Sequence, residues 1–389
     1  MEVCAVIAEY NPFHLGHLKH LSYVKETLGA KHIIVVMSGN FTQRGEPAIL
    51  DKFTRARHAV LAGADAVIEL PTVFSTANAE VFAKGAIKTI ESLGFVDAIC
   101  FGVESGKKED YLKLARSLNN ESKEFKKILK TKLDDGISLA KAKFETLKDL
   151  GEKFDSSLIS SPNNILGVEY AKAVLKYCPQ IEIFPMKRDG DHNDKTLKKG
   201  ITSASSIRES ILNNKLKPIK KCVPSFVYPD LKIVPPIFDA LIMASLIKTS
   251  HKDLAKVPDC TEGLENRLKA LAKDNTSLSE LKNKAVTKRY TATRINRILI
   301  NNLLGIDASL VKDALSDSLY LKVLAISKDN KDFLSRLSTC AKVPVLARKS
   351  DFIQLKKTAK ACFDVDVLAN DLYNLCTFDH LNENLTLFV

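Results

Sequence analysis

Short apolar runs alternate with amphipathic stretches through the first half of the chain. Val3–Ala8, His32–Met37, Ala66–Leu70, Ala98–Phe101 and Ile181–Phe184 are rich in β-branched residues, and each predicts a strand. Between them the period lengthens to that of a helix. Lys52–Ala62 stops at Gly63 and Val81–Leu93 stops at Gly94, glycine being the residue expected just past a helix end. Strands that alternate with helices predict an α/β fold, with a parallel sheet covered on both faces.

Two later stretches break this rhythm. Lys107–Leu150 is long, charged and helical, and reads as an insertion into the α/β unit or an arm beside it. From Lys215 to Pro236, the prolines at 218, 224, 229, 235 and 236 interrupt any regular element and mark a linker. The expected organisation is an α/β domain over 1–214, a linker over 215–236, and a mostly helical region over 237–389 with a strand-like stretch at Val343–Ala347. A length of 389 residues agrees with more than one core.

Composition adds limits. Apolar residues make up 45% and charged residues 27%, which is globular rather than disordered. No apolar run reaches the roughly 20 residues that span a bilayer, and the opening Met1–Ile7 reads as a strand rather than a leader, so a cytosolic protein with no membrane partner is expected. The eight cysteines form no CxxC pair and read as reduced core thiols, not as a metal site or disulfide framework. A net charge of +12 favours an acidic partner such as nucleic acid or a nucleotide.

The candidate chemistry begins directly after the first predicted strand, in Ala8-Glu9-Tyr10-Asn11-Pro12-Phe13-His14-Leu15-Gly16-His17-Leu18-Lys19-His20. A helix start at the carboxyl end of a parallel strand offers unpaired N–H groups to phosphate. Gly16 allows close approach to the backbone, and His14 and His17 share one face of the turn as donors for charge developing on phosphate. A GxGxxG fingerprint is absent, which argues against a dinucleotide oxidoreductase. The quartet His14-Leu15-Gly16-His17 resembles the HxGH signature of the nucleotidyltransferase superfamily, which implies a Rossmann-like fold of the HUP type. Ile201-Thr202-Ser203-Ala204-Ser205-Ser206-Ile207-Arg208 resembles that superfamily's second signature. Its hydroxyls can cap the helix that starts there, while the helix end and Arg208 face the phosphates, and Ser205 and Ser206 are expected ATP contacts.

Longer stretches narrow the family. Glu9–His14, Met37–Ala48, Ser161–Gly167 and Glu262–Leu268 are very similar to the tRNA(Met) cytidine acetate ligases, and the resemblance spans nearly the whole chain. It implies a ligase that makes acetyladenylate from acetate and ATP and then acetylates N4 of the wobble cytidine of elongator tRNA(Met). It also implies ATP, with magnesium, along Ile7–His20, with further contacts at Gly102, Asn163 and Arg188 and no metal held by the protein. Arg44 is the candidate for the acetate carboxylate, because a guanidinium matches that geometry. Lys288, Arg289, Tyr290, Arg294 and Arg297 are the candidates for tRNA, with Tyr290, Arg294 and Arg297 on one face if the segment is helical. Two other readings stand beside this one: a small-metabolite adenylyltransferase of the same fold, and an RNA-binding module without activity.

Overall fold

The computed structural model describes residues 1–135, 139–159, 161–188, 202–231, 237–287, 289–330, 332–355, 357–377 and 380–389. Its centre is a mixed sheet built on β1 (Val3–Ala8), β2 (His32–Ser38), β3 (Ala66–Leu70), β4 (Ala98–Val103) and β5 (Glu182–Lys187), all parallel, in the order β5-β4-β1-β2-β3. These are the five expected strands, shifted by a few residues at their ends.

Alternation along each strand sends side chains to two apolar layers. Val3, Ala5, Ile34, Val36 and Ile68 pack on one face with the helices Ala79–Leu93 and Pro162–Tyr177. Cys4, Val6, Ile33, Val35 and Met37 pack on the other, with α2 (Lys52–Leu61) and the helix Ala204–Leu212. Burying each of the larger ones, Val, Ile or Met, contributes about 1.5–3 kcal/mol, and burial on both faces is why β1 to β4 are largely apolar. From β1 the chain proceeds to β2 and β3 on one side, then returns to place β4 on the other. The carboxyl ends of β1 and β4 therefore flank a topological switch point, where open parallel sheets bind ligands.

The second half does not stand apart from this sheet. Leu321–Ile326 forms β6, antiparallel to β3, and β7 (Val345–Leu346) and β8 (Leu387–Phe388) pair with β6. Only β7 falls within a stretch expected to be strand-like. The expected linker is also packed in its described part. Ile219, Val227 and Leu231 are fully buried, Cys222 O accepts from Leu15 N at 3.0 Å, and Asp230 pairs with Arg57 and His58 of α2 at 2.6 and 2.7 Å. Pro218 and Pro229 sit within the short helical turns Lys217–Lys221 and Tyr228–Leu231, so proline here does not loosen the chain. Pro235 and Pro236 lie outside the described residues. The Lys107–Leu150 stretch forms the helices Lys108–Asn119, Lys123–Asp134 and Leu139–Asp149. All eight cysteines are free thiols, and Cys340 is exposed. Among the described residues, no helix is long and apolar enough to cross a membrane.

Candidate active site

A cavity of about 290 Å³ opens at the carboxyl ends of β1 and β4. Its floor is the turn into α1 (Leu15–Ser22), where Tyr10 takes the left-handed backbone (φ +48°) that redirects the chain. His14 is the N-cap. Its Nδ1 accepts the Gly16 N–H at 3.0 Å, and His17 Nδ1 accepts the His14 N–H at 3.3 Å. A nitrogen that accepts a backbone N–H carries no hydrogen, so both neutral rings must bear theirs on Nε2. The rings stack with centroids 3.7 Å apart. A Cβ on residue 16 would lie 2.9 Å from His14 Cε1, so glycine is what lets the ring fold back over the turn.

Burial holds these rings neutral. His14 is pushed down to about 3 and His17 well below its ordinary value, first by burial and then by nearby positive groups including Arg188. His20, whose Nε2 lies 3.2 Å from the Cys100 thiol, is pushed down to about 4 by the same causes. Near neutral pH the site therefore presents uncharged N–H donors. Such donors bind phosphate oxygen most strongly as its charge grows, which is what loss of pyrophosphate demands.

Fixed cations surround them. Arg188 follows β5 and lies across Gly102, where a Cβ would come within 3.1 Å of its side-chain carbons. Arg208 sits in the helix Ala204–Leu212, with Nη1 donating to Asn11 O at 2.8 Å and Nη2 to Ser205 Oγ at 3.3 Å. Lys19 and Arg44 complete the basic lining.

Most of the residues expected at the site reach this cavity: the wall includes Ile7, Ala8, Glu9, Tyr10, Asn11 and Leu15, and further round Gly102, Asn163 and Ser205. Ser206 does not line it. The N-cap is Ser203, whose Oγ accepts Ser206 N at 3.2 Å, and Ser206 is buried behind it. Nor do Pro12, Phe13 and Leu18, since the Phe13 ring packs on Tyr10 (4.7 Å between centroids) and serves the core. Asn163 lies in the first turn of the helix Pro162–Tyr177. Ser161 caps that helix, while Asn163 Nδ2 donates to Glu104 at 2.6 Å.

Four apolar wall residues carry no signal of the site in the sequence. Phe82, Phe101, Leu166 and Tyr170 form an apolar wall, and at sequence level they are indistinguishable from core. Thr202 of the second signature and Gln43 of the Met37–Ala48 stretch add polar groups.

The loop after β2 brings Arg44 to the wall. Thr42 N donates to Glu46 O at 3.0 Å, Ala48 N donates to Asn40 O at 2.8 Å, and Gln43 N donates to Glu9 Oε1 at 2.8 Å. Gly45 (φ +70°) lies against the helix Ala292–Leu303, where a Cβ would fall 2.3 Å from Arg297 N. Two charged residues of α2, legible only as an amphipathic pattern, hold this loop from below. Arg55, fully buried, donates to Leu50 O at 2.9 Å, Glu9 O at 2.7 Å, Ser38 O at 3.1 Å and Gly39 O at 2.5 Å. Lys52 donates to Asn40 Oδ1 through its backbone (2.8 Å), and through Nζ to Glu69 (2.8 Å) and Glu383 (2.7 Å).

The basic stretch beyond lies away from the cavity. Tyr290 precedes its helix, which starts at Ala292 behind the N-cap Thr291, so the single helical face does not form as expected. Arg297, expected on an open face, is buried and pairs with Asp259 at 3.2 Å. Arg294 donates to Asp259 O at 2.9 Å and stacks over Tyr290. Arg289 remains exposed, paired with Glu262 at 3.0 Å. Lys288 lies outside the described residues.

The model of the HIGH nucleotidyl transferase family matches residues 1–386. The tRNA(Met) cytidine acetate ligase of Caldanaerobacter subterraneus subsp. tengcongensis is 36% identical over 388 residues, covering 96% of this chain and 95% of the relative. That of Thermoanaerobacter pseudethanolicus is 37% identical over 385 residues, with the same coverage. Among solved structures, Thermotoga maritima TmcAL bound with alpha-thio ATP superposes with a TM-score of 0.91 at 27% identity, covering 100% of both chains. The stacked histidine pair, its basic surround and the likeness along the whole chain lead to one conclusion: this chain belongs to the HIGH nucleotidyltransferase family, among the tRNA(Met) cytidine acetate ligases.

Proposed function

We propose that this chain is an ATP-dependent ligase that converts acetate to acetyladenylate and transfers the acetyl group to N4 of the wobble cytidine of elongator tRNA(Met). The observation that carries this reading is the pair of neutral Nε2–H donors at a helix N-terminus, facing a cavity lined by Arg44, Arg188 and Arg208. Those groups suit a triphosphate and a small carboxylate together. ATP enters with magnesium carried on its phosphates, the usual way such an ion is held. The test is mass analysis of nucleosides from tRNA(Met) incubated with the protein. N4-acetylcytidine should form only when both ATP and acetate are present, and its absence would remove the reading.

Arg44 is proposed to hold the acetate carboxylate, and Arg208 to act on the phosphates beside it. Arg44→Lys keeps the charge but loses the two-pronged donor, so the acetate KM should rise about tenfold or more while the ATP KM changes less. An unchanged acetate KM would move the carboxylate site elsewhere.

The tRNA surface is proposed at Arg289, Tyr290 and Arg294, next to the helix that supports the Arg44 loop. Arg289→Glu should weaken tRNA binding and lower the slope of log K against log salt by about one, the amount expected for one lost phosphate contact. Titration of labelled tRNA across a salt series reads both quantities. Residues 237–389, apart from the strands β6, β7 and β8 that they add to the sheet, are in this reading the RNA-facing part, and the sheet with its first-half helices is the part that activates acetate.

A further inference from the structure

Acetyl transfer to cytidine requires a proton acceptor, because the N4 amine must lose a proton as its nitrogen bonds to the acetyl carbon. The histidines at the site are poorly placed for that work. Nδ1 of His14 and of His17 already accepts a backbone N–H, which leaves only Nε2–H donors toward the cavity. His20 Nε2 faces the Cys100 thiol.

Glu9 is the one carboxylate among the described residues that line the cavity, in a wall otherwise furnished with Lys19, Arg44, Arg188 and Arg208. A bare carboxylate repels the phosphates and the acetate alike, so its place in this wall calls for a group that donates a hydrogen bond or a proton to it. Glu9 is also held firmly. Its carbonyl accepts from buried Arg55 at 2.7 Å, and its Oε1 accepts from Gln43 N at 2.8 Å. Its Oε2 makes no hydrogen bond among the described residues.

We propose that Glu9, through Oε2, is the general base of the transfer step, an inference that rests on the proposed function. The N4 lone pair forms the bond to the acetyl carbonyl carbon, and the bond from that carbon to the phosphate oxygen breaks. AMP leaves with the electron pair, and the N4 proton passes to Glu9 and then to water. The charged and titratable groups that feel the Glu9 carboxylate are Arg55 from α2, Arg208 from the helix Ala204–Leu212 and Tyr170 from the helix Pro162–Tyr177. Arg44 and Glu46 of the loop act on Arg208 beside it.

The experiment supplies acetyladenylate directly to the full-length protein and tRNA(Met), and follows single-turnover acetylation across pH. General bases contribute roughly a hundred- to ten-thousandfold. Glu9→Gln keeps an oxygen for the Gln43 N–H, and should slow transfer at least about a hundredfold while abolishing the fall in rate toward acid pH. Glu9→Asp, which keeps a base set further back, should retain that acid limb at a reduced rate. Transfer by Glu9→Gln within about threefold of wild type, or an acid limb that persists in it, would overturn the proposal. So would a variant that makes acetyladenylate slowly yet transfers it normally, because Glu9 would then serve the magnesium–ATP complex. A wild-type protein unable to acetylate tRNA from acetyladenylate would instead remove the underlying function, and the inference with it.

Discussion

His17→Ala is expected to slow acetate-dependent ATP–pyrophosphate exchange roughly a hundred- to a thousandfold, about 2.7–4 kcal/mol of transition-state stabilisation. The geometry gives two reasons. His17 offers a neutral Nε2–H into a cavity where a hydrogen bond to growing phosphate charge is poorly screened. Its Nδ1 also accepts the His14 N–H, so truncation removes half of the reciprocal cap that fixes the first ring. His17→Asn separates these contributions, since a side-chain amide can still accept that N–H but does not reproduce the imidazole donor. If the cap alone mattered, the asparagine variant would recover exchange. The account predicts that it stays slow. Activity of His17→Ala within about threefold of wild type would mean that the histidine pair does not act on the phosphates.

Lys52→Met is expected to destabilise the fold by about 3–5 kcal/mol, read from denaturant unfolding. Its ammonium is 1% exposed and bridges Glu69 and Glu383, which are themselves buried. Removing it strands two carboxylates away from water. Burial first, and then the neighbouring Glu69 and Asp366 carboxylates, push Glu383 up to about 8 even against the opposing pull of Lys52, so these groups are costly to charge without their partner. The triple change Lys52→Met, Glu69→Gln, Glu383→Gln should recover most of the loss, because an uncharged trio carries no unpaired charge. A single variant as stable as wild type would show that the bridge does not hold the Asn40 loop to the C-terminal segment.

That bridge also shows where sequence reasoning stops. β1 to β4 were legible because each is buried on both faces and therefore largely apolar along its length, while the edge strand β5, only half-buried, showed through the short apolar run around Ile183. The HxGH turn was legible because a strand, two histidines and a glycine fall together. β6 was not: Lys322 interrupts its apolar run, and its burial depends on pairing with β3 some 250 residues earlier, which no local pattern reports. The same distance hides Glu383, which meets Lys52 across 331 positions. A fragment ending near Asn214 would lose both, and so loses an edge of the sheet and the anchor of the Arg44 loop.

Within the site, residues that carry charge to solvent and residues that carry it inward look alike in sequence. Arg55 and Arg297 read as surface cations. Carbonyl groups at the strand ends and Asp259 turn them into buried fasteners instead. Phe82 and Tyr170 read as core, and the cavity makes them a wall.

The most direct measurement of the central claim is exchange of labelled pyrophosphate into ATP by the purified full-length protein without tRNA. The account predicts exchange that requires acetate and collapses in His17→Ala. Exchange that proceeds equally without acetate, or that needs another acid in its place, would contradict it.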